Sequence, residues 1–477
     1  MIRIGLVAIA FSFIIGCRQK PLDTRGNIVM NEPGWPLMFE LNQGESQVLK
    51  IKNRSWRFRL DTIVYQFQPD FRNKPTEIYY QAFAHVSING NSHNIMMKPY
   101  QLPQQKEGLK VLLEMTKEWA NFGNTDTLGR MTRDARFAVV LEEDSWGPAE
   151  LRFPIQNYRW RSSAYQNTWF SLVPTSKTVY FHKGDDFGAI PDTFEVIAPF
   201  KGKVTTSPYP HGDGKSNSLI IENDLGFKVR FGHMNIKYIL PQIQEGLEVV
   251  PGSELGRTGS TWNGRRSQYA DPHLHTAIYY KNMRLNTYAY WTEAYLRDYP
   301  EPVLPQAGGY YFTIPGRPLE LDGSGTIVKD NGKSASPSWL LTNGEKINAW
   351  KVQEAYQKPG FYAEEFIVKT DNGRIFKDIA QVRVFDPDSL SQVGFSGWIH
   401  HFPVRDIKPG DQVVFWLRDW LGKPMVVNFG DTQKWEHFAE ETSHVYTEEG
   451  VYTVTAVPTD TTSATIKTIV YVGQPDL

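Results

Sequence analysis

The chain has 477 residues, too many for one hydrophobic core and enough for about three or four domains. Lys plus Arg (51) nearly cancels Asp plus Glu (52), so no bulk charge steers the protein toward nucleic acid or an anionic membrane surface. Apolar content of 40% excludes disorder as the default, and the 14 Trp and 23 Tyr fit β-sandwich packing, with sugar stacking as the sharper alternative.

At the N-terminus, Met1-Ile2-Arg3 is a short positive start and Ile4 to Ile15 is nearly all apolar. That run is shorter than the roughly 20 residues of a membrane span and suits the apolar region of an export signal. The following IIGC (Ile14 to Cys17) resembles the bacterial lipobox, which implies a cleaved signal over 1–16, lipidation of Cys17 and a polar tether over 17–25. Cys17 is the only cysteine, so the exported chain does without disulfides. The expected location is the bacterial cell envelope, on the outer membrane facing the periplasm or the cell surface, held by a lipid anchor.

From 26 to 173 the runs are short and alternating, as in SQVLKIK, AHVSING and RFAVVLEE, and predict strands. Within GLKVLLEMTKEWANFG, Leu109, Leu112, Leu113 and Trp119 recur near helical spacing and predict a helix. This β-rich domain carries no recognisable chemistry.

The segment 174–299 holds the informative histidines. In YFHKGDDFG, His182 and Asp186 stand four residues apart, a pattern that alone is common in solvated turns. ADPHLHTAIYY changes that reading, because in a strand His273, His275, Ala277 and Tyr279 share one face. FKVRFGHMN adds His233 at the end of another alternating strand. Catalytic zinc takes three protein ligands and leaves a position for water; His182, Asp186 and one histidine of the HLH pair supply that count. Two neutral imidazoles and one carboxylate leave the ion net positive, so that it acidifies a water. The other HLH histidine and His233 remain as proton acceptor and oxyanion stabiliser. The same two-His-one-carboxylate count serves ferrous oxygenases, but their usual spacing is HxD and they have no use for two further histidines.

These motifs, in this order, resemble the lysostaphin/LytM-type zinc metallopeptidases, metallopeptidase family twenty-three. HKGDD is similar to that family's HxGxD; VIAPFKGKV, NSLIIENDLGFKVRFGHMN, EGLEVVPGSELGRTGST and HLH stand where its later signatures do. The likeness covers about Thr175 to Tyr280, a quarter of the chain. It implies that His182, Asp186 and His275 bind one zinc, that His273 is the general base, and that His233 stabilises the oxyanion or orients the water. Asp185 is then a decoy that points elsewhere. Gly184, Gly202, Gly226 and Gly252 read as turn residues with unusual backbone angles. Phe231 replaces a frequent Tyr, a long loop before HLH brings Arg265 and Arg266 beside the expected cleft, and His211 reads as surface.

Beyond 299, AYQKPGFY (Ala355 to Tyr362) recurs as VYTEEGVY (Val445 to Tyr452), each preceded by a Gly-centred turn. A period of about 90 residues fits whole sandwich domains. Both copies resemble polycystic-kidney-disease (PKD) domains, over 305–386 and 387–477, with structural tyrosines and an implied capacity for protein or glycan contacts. The expected fold is mainly β and multidomain: a β-rich N-terminal domain, an antiparallel metallopeptidase core and two Ig-like/PKD-like sandwiches. The implied activity is a zinc metalloendopeptidase acting on peptidoglycan cross-bridges or stems. The alternative is a catalytically latent fold serving as an envelope scaffold, for instance if the loop before His273 fills the groove.

Overall fold

The computed structural model describes residues 27–473 except 31, 33, 70–76, 122–130, 162–166, 175–178, 267–270, 282, 330–334, 387–396, 419–423, 433, 439 and 460–464. The expected export signal over 1–16, Cys17, the expected tether and the centre of the loop before His273 lie outside the described residues. The architecture is mainly β and multidomain. Among the described residues no helix is long and apolar enough to cross a membrane.

Two sheets build the N-terminal part. A meander joins Ser46–Ile51, Arg54–Pro69, Glu77–Ile88 and Asn91–Met97, and a five-stranded sheet is ordered Asn27–Met30, Leu37–Leu41, Ala135–Leu141, Leu109–Thr116, Gln104–Lys106. Phe39 and Phe137 of one sheet meet Phe58 of the other, with ring centroids 5.1 and 4.9 Å apart.

The predicted helix over Leu109, Leu112 and Leu113 is a strand, Leu109–Thr116; only Lys117–Asn121, which holds Trp119, is helical. The sheet's two-sided burial explains the misreading. Leu109, Val111 and Leu113 enter the sandwich core, whereas Leu112 enters the core shared with residues such as Phe187, Phe227 and Leu274. Both faces are therefore apolar, and a continuous apolar run carries no period-2 signal.

A seven-stranded antiparallel sheet centres the next part, ordered Asp185–Gly188, His273–Tyr280, Phe227–Gly232, Leu219–Glu222, Gly202–Thr206, Glu248–Val249, with Met283–Leu285 also on His273–Tyr280. One core runs from it into the N-terminal sheet, where Trp35 stacks on Phe227 at 3.5 Å between centroids. The helix Tyr288–Asp298 adds Tyr290, Trp291 and Tyr295 to that core.

Two further sandwiches follow, with cores around Trp339 and Phe366 and around Phe415 and Tyr446. The echoed segments fold alike. Tyr356 and Tyr362 pack at 4.5 Å, as do Tyr446 and Tyr452, and Tyr362 and Tyr452 each donate a hydroxyl to a carbonyl four residues earlier, at 2.9 Å. The last sandwich docks on the seven-stranded sheet's domain: Phe402 meets Phe194 edge to face, and Arg405 pairs with buried Glu301 at 2.8 Å.

Candidate metal centre

Strand register brings the donors together. Asp185–Gly188 pairs with His273–Tyr280 so that Asp186 lies opposite His275 and Asp185 opposite Thr276. Side chains alternate along a strand, so Asp186, His273 and His275 share a face and Asp185 takes the other, where the Thr287 hydroxyl donates to it. Burial raises the Asp185 carboxyl to about 6, against the hydrogen bonds that favour its charge.

His182 enters from the loop before Asp185, its backbone N–H donating to Ser171 O at 2.7 Å. Gly184 makes the approach possible. A Cβ there would sit 2.3 Å from Thr276 O and 2.8 Å from His275 Cε1, so this glycine answers a close contact and not a special angle. Gly202 is alike, with Glu222 O at 2.5 Å; Gly226 and Gly252 do take the expected left-handed angles, at φ +87° and +86°.

His182, Asp186 and His275 each offer one donor atom, all within 4.8 Å of one another. His182 Nε2 is 3.1 Å from Asp186 Oδ2 and 3.2 Å from His275 Nδ1, which is 2.8 Å from Asp186 Oδ1. One tetrahedral ion with bonds of about 2.0–2.2 Å spans such a triangle. The outer atoms are tied back. His182 Nδ1 donates to Thr168 O at 3.3 Å, leaving Nε2 as a lone pair toward the centre, and Asn167 Nδ2 donates to Asp186 Oδ2 at 3.2 Å.

Two more imidazoles stand beside the triangle. His273 Nδ1 donates to Asp271 O at 2.8 Å, and its Nε2 is 3.4 Å from Asp186 Oδ1. His233 Nδ1 donates to Thr261 O at 2.8 Å, its ring 4.5 Å from that of His273 and stacked on Trp262. A carbonyl only accepts, so both rings carry their proton on Nδ1 and present Nε2 as an acceptor. The His233 backbone is held at φ +69°, a strained angle for a non-glycine residue.

Electrostatics fit a cation. Burial lowers His275 to about 3 and lowers His233 and His273, so these rings are neutral at pH 7. Burial works against the Asp186 charge, but the neighbouring His182 outweighs it and holds the carboxyl well below the usual range. The same carboxylate raises His182 against its burial. An ionised carboxylate beside the neutral His275, with His182 giving up its proton as a cation arrives, is a donor set that suits a divalent metal.

A cavity of about 460 Å³ opens over the centre, lined by all five of these residues. Arg265 and Arg266 are exposed and do not line it, and Arg266 pairs with Asp192 at 2.8 Å. His211 is exposed, and Phe231 is fully buried in the core. Sequence reasoning missed Asn167 and Thr168, which lie upstream of the motif in the unremarkable stretch NTWF, and also the cavity residues Trp262, Arg230 and Arg284. The alternation of FKVRFG could have placed Arg230 on the histidine face.

Residues 180–287 match the sequence profile of Peptidase family M23. No curated protein matches the chain. Among solved structures it is similar to a putative glycyl-glycine endopeptidase LytM from Ruminococcus gnavus: 21% identity, 30% of this chain and 61% of that one, TM-score 0.24. It is also similar to cbpa from L. salivarius REN, with 21% identity, 24% and 75% of the two chains, and TM-score 0.18. A zinc containing peptidase from Vibrio cholerae is 15% identical over 50% and 86% of the two chains, with TM-score 0.23.

Proposed function

We propose that the chain is a zinc metalloendopeptidase of the bacterial cell envelope, anchored by a lipid on Cys17, that hydrolyses peptide bonds in peptidoglycan stems or cross-bridges. The observation that carries this reading is the convergence of His182 Nε2, the Asp186 carboxylate and His275 Nδ1 beside two acceptor imidazoles in one open cavity. The match of residues 180–287 to Peptidase family M23 supports it.

Zinc held by these three side chains would supply the positive charge that polarises a scissile carbonyl and acidifies a water. His273 Nε2 accepts the proton of that water and returns it to the departing amine, while Asp271 O keeps the Nδ1 proton in place. His233 has the same tautomer, so it orients the water by accepting a hydrogen bond; as a neutral ring with Nδ1–H bound to Thr261 O, it has no proton to offer an oxyanion. The C-terminal sandwiches, as PKD-like domains, would present the enzyme to protein or glycan partners.

Zinc content and peptide release from purified peptidoglycan, for wild type and His273→Ala, test the reading. Stoichiometric zinc in both, with cleavage by wild type alone, is expected. Zinc in both with cleavage by neither overturns the enzymatic reading in favour of a binding scaffold.

A further inference from the structure

The cavity over the metal centre is strongly one-sided in charge. Among its described lining residues are Lys183, Lys215, Arg230 and Arg284, against a single carboxylate, Asp186, which is committed to the metal site. Arg230 is the best placed of these cations. It lies opposite Ala277, two residues along from His275 on the same sheet face, or about 6.6 Å. The guanidinium leans back toward the metal: a Cβ built on Gly232 would be 3.7 Å from Arg230 Nη2 and 3.5 Å from His275 Cβ.

Neutral hydroxyls aim this guanidinium. Nε donates to Ser218 Oγ at 2.9 Å and Nη2 to Ser216 Oγ at 2.8 Å, while Nη1 makes no hydrogen bond among the described residues. No described carboxylate forms an ion pair with it. Asp213 feels the Arg230 charge, but its carboxylate is taken up by the backbone N–H groups of Lys215, Asn217 and Ser218. Further along the same face, Arg284 lies opposite Tyr279 and donates to its hydroxyl at 3.1 Å. A half-buried guanidinium fixed by two serines and lacking an internal anion is arranged for an anion from outside.

We infer that Arg230 forms a carboxylate subsite, so that the cleft takes a peptide bearing a free carboxylate one or two residues from the scissile bond. This rests on the reading of the site as a peptidase and deepens it by naming the substrate class. A peptide advances about 3.3–3.6 Å per residue, so a carbonyl over the metal places a carboxylate one or two residues away beside Arg230 Nη1. A neutral bridge such as oligoglycine would leave that charge covered and unanswered. The carboxylate has two sources, an acidic side chain or a chain terminus.

Two peptide pairs separate them: one differing by a side-chain carboxylate against its carboxamide, the other by a terminal carboxylate against its amide. With the full zinc-loaded chain, the acid of at least one pair is expected to be cleaved with a kcat/KM about ten- to a hundredfold above its amide, mainly through KM. The pair that shows the preference names the source. Arg230→Gln brings that ratio close to one, and Arg230→Lys restores part of it. If Arg230→Gln fails to hold zinc, the double variant Ser216→Ala, Ser218→Ala tests the same point, with the ratio falling as the guanidinium loses its aim. Equal cleavage of acid and amide in both pairs by wild type, or a ratio that survives these variants, overturns the inference. Should wild type cleave nothing, the peptidase reading fails, and calorimetric binding of the same peptides decides the subsite separately. Tighter binding of an acid that Arg230→Gln abolishes supports it, and equal binding of acid and amide overturns it.

Discussion

His400 Nε2 lies 3.0 Å from Asp271 Oδ1, which ties the last β-sandwich to the residue whose carbonyl holds His273 Nδ1. Both partners are buried, and the Trp398 ring stacks over His400 with 10° between planes. Burial raises the Asp271 carboxyl well above its usual range and lowers His400 to about 3, so it disfavours the charged form of both partners. The C-terminal sandwich thus forms part of the wall behind the strand His273–Tyr280.

Removing that contact by His400→Ala leaves the Asp271 carboxyl buried without its partner, at a cost of about 1–3 kcal/mol. Native-state hydrogen exchange in Trp398–Phe402 should reveal the loosening. Zinc is expected to stay stoichiometric because His400 touches none of the three ligands; loss of zinc would show that the docking reaches the metal.

The two buried histidines of the last sandwich should make it less stable in acid, with the raised Asp271 carboxyl opposing them. Burial lowers both His400 and His401 to about 3. A histidine with a depressed folded-state pKa contributes stability above its ordinary value near 6.5, and that contribution is lost as pH falls toward 3. Protease sensitivity of the last sandwich between pH 7 and pH 4 checks this, and an unchanged cleavage pattern would contradict it.

Glu114 behaves oppositely. Burial raises its carboxyl from the ordinary 4.5 to about 7, although the Asn286 backbone N–H donates to it. Its contribution is full below pH 4.5 and lost as pH rises through 7, an effect of about 3 kcal/mol. Glu114→Gln should therefore gain on wild type between pH 5 and pH 8 in denaturant titrations. Parallel curves would show that Glu114 is not the group responsible.

Asn167→Ala removes the amide that donates to Asp186 Oδ2. Partners of metal ligands are worth about ten- to a hundredfold in metal affinity or activity. Chelator competition should show a zinc affinity reduced by that factor, with no ligand altered.

For His233, ring and backbone can be separated. Asn accepts the left-handed angle that His233 holds at φ +69°, whereas a β-branched residue does not. His233→Asn should keep thermal stability and lose turnover; His233→Val should lose both. Full turnover in His233→Asn would remove the imidazole from the chemistry.

Local spacing made much of the centre legible. HKGDD is short enough for one turn to set His182 against Asp186, and period 2 in HLHTA puts His273 and His275 on one face whatever surrounds the strand. Alternation likewise announced a mainly β chain, and the echo of Tyr356 and Tyr362 in Tyr446 and Tyr452 announced two like-built sandwiches. Periodicity failed at Leu109–Thr116, because a strand buried on both faces erases the alternation that identifies it. Only tertiary structure could decide that Asn167 reaches Asp186 and Thr168 reaches His182, that Arg230 leans toward His275, or that His400 reaches Asp271 from 129 residues away. Those relationships depend on which sheet face and which domain surface end up together. That choice is made by the packing of whole sheets, and a spacing of a few residues carries no record of it.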